Sequence, residues 1–127
     1  MEFLMGYRSD VVLVLSQKGS DLLKERVKEL SEELKEEVKD LFTCSEEHFV
    51  TTLENDELWY WTWFKWYSDY AAISFIETFL HELDDNEFVF MRIGEDYTDV
   101  EAYGGYYDNP FEVEIKRKIS FCTNFCN

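Results

Sequence analysis

Few residues in this chain have both the type and the spacing for chemistry, so each set can be weighed in turn. Cys44 and His48 stand as C-x3-H, and Cys122 and Cys126 as C-x3-C. Together they would make a Cys3His zinc set. The pairs are far apart in sequence, however, and Cys126 lies next to last, in a tail (122–127) expected to fray. An odd count of three cysteines also gives no disulfide framework. Reduced thiols and no bound metal are the expectation. Cys44 with His48, or Ser74 with His81, would be the nucleophile–base pairs, but neither has a nucleophile elbow or a third, orienting group. The carboxylates of "GEDYTDVE" (Glu95, Asp96, Asp99, Glu101) do not follow calcium-loop spacing and lack the glycine of the sharp turn. Gly94 before them permits a turn or bulge. No catalytic residue, cofactor or enzyme activity is assigned.

The aromatic residues are the more informative chemistry. "LWYWTWFKWY", residues 58–67, holds all four tryptophans, with Tyr60, Phe64 and Tyr67 among them. As a strand, its alternate side chains face opposite ways. Leu58, Tyr60, Thr62, Phe64 and Trp66 would share one face, and Trp59, Trp61, Trp63, Lys65 and Tyr67 the other. Helices on one side of a sheet cover only one of these faces. The second then needs a partner, a ligand, a second copy or the C-terminal strands to cover it.

Charge narrows the partners. The net charge is −16, and the excess sits between Ser45 and Glu114, where 18 acidic residues face only Lys65 and Arg92. Such a surface repels phosphate backbones, which argues against direct nucleic-acid binding. It attracts a basic protein, with Asp84, Asp85, Glu95, Asp96, Asp99 and Glu101 as the contributing carboxylates and Trp59, Trp61, Trp63 and Tyr67 as aromatic anchors. Acidity that merely keeps an aromatic-rich chain dissolved is the plainer alternative. A nucleotide-like ligand would stack on the tryptophans and needs cations for its phosphates, for which Arg8, Lys65 and Arg92 are the candidates, with Lys116, Arg117 and Lys118 near the sheet edge. A homodimer that hides the aromatic face is the third reading.

The elements that must position these residues emerge from pattern. With 127 residues, 46% of them hydrophobic, the chain makes one domain with a real core. The longest apolar run, Val11–Leu15, is far too short to span a bilayer, and "MEFLMGYRSD" lacks the layout of a signal peptide, so a cytoplasmic protein is expected. "RSDVVLVLS" reads as a strand covered on both faces. From Asp21 to Phe42, Leu23, Val27, Leu30, Leu34, Val38 and Leu41 recur at helical spacing and predict one amphipathic helix, led in by Ser16 or Ser20. "HFVTTLE" and "ELWYWTWFKWY" predict a hairpin turning at "END". Asp69 or Ser68 would cap a second helix, with Ile73, Ile76, Leu80 and Leu83 as its core stripe. "EFVFMRI" and "VEAY" come next as strands. After the turn "GGYYDNP", the alternating "FEVEIKRKISF" predicts a last strand with one wet face. The order predicts a ferredoxin-like β-α-β-β-α-β plan with a C-terminal strand extension, two helices lying on one face of an antiparallel sheet.

Three stretches carry a resemblance: "MGYRSDVVLVLS" from Met5, "FKWYSDYAAISFIETFLHEL", and "FVFMRIGEDYTDVEAYG". They resemble a family of small uncharacterised proteins of bacteriophages and prophages, whose members begin with Met-Gly-Tyr-Arg-Ser and carry an internal Arg-Ile-Gly-Glu-Asp. The resemblance implies that Met5 is the more usual start, leaving Met1–Leu4 as an extension. It supplies a context, host-cell cytoplasm, and no mechanism. In that context the expected function is a non-enzymatic inhibitor of a host factor, of the counter-defence or anti-CRISPR-like kind.

Overall fold

The computed structural model describes residues 6–96 and 98–115. Chain order is β1 (Ser9–Leu15), α1 (Gln17–Lys28), α2 (Glu32–Thr43), β2 (Glu47–Val50), β3 (Glu57–Phe64), α3 (Ala71–Glu82), a 3-10 turn (Asp85–Glu87), β4 (Phe88–Gly94) and β5 (Val100–Tyr103). The five strands form one antiparallel sheet in the order β2-β3-β1-β4-β5. The protein is therefore α+β. Among the described residues no helix is long and apolar enough to cross a membrane.

The long helix expected from Asp21 to Phe42 is two helices instead. Glu29 N–H turns back to the carbonyl of Arg26 and Leu30 N–H to that of Val27, ending α1. Ser31 then caps α2, its hydroxyl accepting the Leu34 N–H at 3.2 Å, with Glu32 and Glu33 favourably placed in the first turn. The apolar stripe runs through this break because both helices rest on the same sheet face. Ser16 caps α1 through the Gly19 N–H. At α3 neither Ser68 nor Asp69 is the cap: Tyr70 occupies that position and offers no side-chain hydrogen bond.

All three helices lie on one side of the sheet. Leu23 of α1, Val38 and Leu41 of α2, and Ile73, Ile76, Phe79 and Leu80 of α3 pack on Val11, Leu13, Leu15, Trp59, Trp61, Phe88 and Phe90. Trp61 is fully buried, and its indole N–H donates to the Leu41 carbonyl at 2.9 Å. One bond thus satisfies a buried donor and a carbonyl in the last turn of α2, and fixes that helix to β3. Trp59 is sealed by the edge of Phe42 and by His48, which stacks on it nearly parallel at 5.0 Å.

The other sheet face is covered by the chain beyond β5. Val14, Leu58 and Val89 are buried there, with Val12, Tyr60, Met91, Tyr106, Phe111 and Val113 around them. Gly104 (φ +88) makes this return possible, because a side chain at that position would run into the Phe88 carbonyl. Tyr106 then donates its phenol to Asp56 at 2.6 Å, a carboxylate only 1% exposed. Burial and that hydrogen bond hold the Tyr106 phenol far above its ordinary pKa, so it remains the donor. Residues 111–115 pack on this face without forming the strand expected to begin at Phe111, and Glu112 has φ +50. The rest of that expected strand, with Lys116, Arg117 and Lys118, lies outside the described residues.

Two tryptophans separated by one residue therefore have opposite roles. Trp61→Phe removes a buried hydrogen bond and core volume and is expected to cost about 2–4 kcal/mol. Trp63→Phe, at a site that is 63% exposed, is expected to stay within about 0.5 kcal/mol of the parent. Urea unfolding of both variants checks the contrast.

Candidate functional site

Simple alternation breaks down inside β3. The β1–β3 register pairs Val11 with Trp61 but Ser9 with Phe64, so β3 carries one extra residue between them. Trp63 adopts φ +51 within this bulge. A bulge reverses the side-chain parity of the residues beyond it. Phe64 thus joins the helix-side core, with its ring 6.5 Å from Trp61 and 6.3 Å from Trp66, rather than facing away with Leu58 and Tyr60. Trp66 is buried in the same cluster, its indole N–H donating to Glu77 at 3.2 Å. Trp63 turns out to solvent. Of the three tryptophans expected to share a free face, Trp59 and Trp61 are core residues and only Trp63 is exposed.

A tryptophan with positive φ is strained by roughly 1–3 kcal/mol, and its surroundings must hold it there. Two side chains from the start of the sheet do so. Asp10 accepts the Trp63 N–H at 2.9 Å, and Arg8 Nη1 donates to the Trp63 carbonyl at 3.4 Å. The Arg8 backbone N–H is itself bound by Glu95 at 2.6 Å.

Beyond the bulge the chain enters a groove of 430 Å³ between α2, α3 and the end of β3. Leu41, Phe64, Ala72 and Ile73 give it apolar walls, Arg8 and Lys65 bring cations, Glu37 and Asp40 bring carboxylates, and Cys44 and Tyr70 complete the lining. Tyr70 is 48% exposed. Tyr67 sits against it at 5.1 Å between ring centres and lines a separate concavity of 640 Å³, shared with Tyr7, Trp66, Arg92 and Glu101.

The expected cation trio is therefore divided. Arg8 and Lys65 share the first groove, and Arg92 is elsewhere and engaged. Its guanidinium binds Asp99 at 2.5 and 3.1 Å, Glu101 at 2.6 Å and Ser9 at 2.9 Å. Burial alone would lower its pKa, but the two carboxylates outweigh this and raise it. Arg92 in turn holds the Asp99 carboxyl below its ordinary range, assisted by the Tyr7 phenol at 2.6 Å. Gly94 allows that approach, since a side chain there would collide with the Tyr7 phenol and the Asp99 carboxylate. The network clamps β4 and β5 to β1.

The six carboxylates expected to act together do not form one patch. Asp84 and Asp85 precede β4, whereas Glu95, Asp96, Asp99 and Glu101 come after it, about 20 Å away along the strand. Asp99 and Glu101 share the single charge of Arg92. Asp96 caps its own turn through the Thr98 N–H and hydroxyl, which lower its pKa.

Neither nucleophile pair is assembled. Cys44 lines the groove beside α3, whereas His48 stacks on Trp59 and binds Glu57 through Nε2 at 2.9 Å. Ser74 and His81 stand seven residues apart on α3, about 10 Å along its axis. Among the described residues no group of three His, Cys, Asp or Glu could hold a metal. Cys44 is exposed, and Cys122 and Cys126 lie outside the described residues. No family model, curated protein or solved structure matches the chain.

The Arg92 clamp predicts acid sensitivity. A carboxyl whose folded pKa is depressed contributes stability above its unfolded value and loses it as pH falls through the folded one. Asp99→Asn is expected to be less stable than the parent at pH 7, with the gap closing below pH about 4. Thermal melts from pH 7 to pH 2 measure this.

Proposed function

We propose that the chain is a non-enzymatic binding protein that inhibits a basic host factor, of the phage-borne counter-defence kind its motifs resemble. The observation that carries this reading is Trp63, 63% exposed on strained backbone that Asp10 and Arg8 hold in place. A large aromatic ring held out at a conformational cost suits a contact anchor. The net charge of −16 favours a basic partner and disfavours nucleic acid as the direct ligand.

The strand order supports a ferredoxin-like plan. β1 lies between β3 and β4, β3 lies between β2 and β1, and β5 extends the sheet at the β4 edge. The plan hosts many activities, so it does not choose among them.

A second reading, in which a small anionic ligand is sequestered, draws support from the groove that brings Arg8 and Lys65 together beside Phe64 and Tyr70. The stacking platform it would have used is not open, because Trp59 and Trp61 are buried.

A pull-down from bacterial lysate at low salt, with the parent and Trp63→Ala, separates the readings. The expected outcome is a basic partner, released by salt and lost at least thirtyfold in the variant, in line with a hot-spot loss of about 2 kcal/mol or more. Retention by Trp63→Ala, or quenching of tryptophan fluorescence by a nucleotide panel without any protein partner, contradicts the proposal.

A further inference from the structure

We infer that the open edge of β2 is a strand-addition site for an extended partner segment that alternates basic and apolar residues along one of its faces. β2 ends the sheet, and each residue from Glu47 to Val50 is exposed. Thr51 N–H donates to the Asp56 carbonyl at 2.9 Å, which makes that pair hydrogen-bonded. Because such pairs alternate along an antiparallel ladder, Phe49 and Glu47 direct their backbone groups at β3. His48 and Val50 direct theirs outward, where no strand lies among the described residues.

Edges of this kind are blunted by short length and charge, which β2 has in its four residues and Glu47, and further by lysine or proline. β2 has neither, and Phe49 and Val50 are about half exposed (49% and 51%) with Leu53 of the adjoining turn at 93%. Main-chain hydrogen bonds would provide affinity for an added strand, and its alternate side chains would provide selectivity.

Charge identifies the occupant. Residues 45–64 contain no lysine or arginine; Asp56 is buried and Glu57 is bound by His48, which leaves Glu46, Glu47 and Glu54 as the exposed carboxylates. A second copy would bring these carboxylates against their own kind, whereas a basic segment would neutralise them. Glu47 and Phe49 share the helix-free face, opposite Tyr60 and Leu58 on β3. An added strand therefore places a lysine or arginine beside Glu47 and, two residues away, an apolar side chain beside Phe49. This edge is at the opposite end of β3 from Trp63, and the inference does not depend on the Trp63 reading.

The test uses the full chain and a fluorescent eight-residue peptide, Lys-Thr-Val-Thr-Lys-Thr-Val-Thr, which alternates lysine and valine along one strand face, with the same peptide carrying glutamate for lysine as control. Val50→Pro removes an outward N–H while leaving the β2–β3 ladder intact, a substitution that edge strands tolerate. Glu47→Lys reverses the side-chain preference. Expected are binding of the basic peptide alone and at least a tenfold loss in each variant, with circular dichroism and melting temperature unchanged. Should Val50→Pro unfold the protein, Glu47→Lys decides by itself. Undiminished binding in the variants, no binding by the parent, or sedimentation as a dimer through β2 overturns the inference.

Discussion

The packing of this protein depends on one extra residue in β3. An uninterrupted strand would put Trp59, Trp61 and Trp63 on one face and Phe64 on the other. With the bulge, Trp59, Trp61 and Phe64 all reach the helix-side core, and Trp63 alone is turned out. The Asp10 carboxylate sets this arrangement by capturing the Trp63 N–H that the ladder cannot use. Downstream, Trp66 can then close the core against Phe90, 5.8 Å away, and upstream Trp61 reaches the carbonyl of Leu41 to seat α2. The aromatic run is thus mostly structural, with Trp63 left exposed to solvent.

Electrostatics are equally divided between structure and surface. Arg92 is the one lysine or arginine between Lys65 and Lys116, and it is consumed in tying Asp99 and Glu101 to the sheet. Asp56 has no such partner among the described residues. It is buried beneath Tyr106, whose phenol satisfies one of its oxygens and anchors the segment that covers the helix-free face. Carboxylates left outside these arrangements give the protein its negative field, and at the β2 hairpin that field coincides with exposed apolar groups and a backbone edge that no described strand pairs.

Much of this fold is legible in the sequence. β1, β4, β5 and α3 can be read from apolar runs, spacing and flanking turn residues, and the antiparallel sheet from their order. The break between α1 and α2 is signalled locally by Ser31-Glu32-Glu33, but a hydrophobic stripe that continues across it resembles a single helix. The bulge leaves no signal of its own: every position from Leu58 to Phe64 except Thr62 is apolar or aromatic, so neither parity is violated by shifting register. The cap of α3 is hidden because Tyr70, a poor capping residue, takes a position that Ser68 and Asp69 suit better. Arg8 and Asp10 gain their roles only through the fold, which brings them to Trp63 from more than fifty residues away. The aromatic run is plain in the sequence, but which of its rings are free depends on a register between strands distant along the chain.

One tryptophan of four faces solvent, and it is Trp63. Fluorine NMR of protein labelled with 5-fluorotryptophan, titrated with a neutral paramagnetic agent, measures this directly. One resonance should broaden strongly, the other three should be protected, and the broadened line should be absent from Trp63→Phe. Equal broadening of the Trp59 or Trp61 resonance would contradict the bulged register and the packing that depends on it.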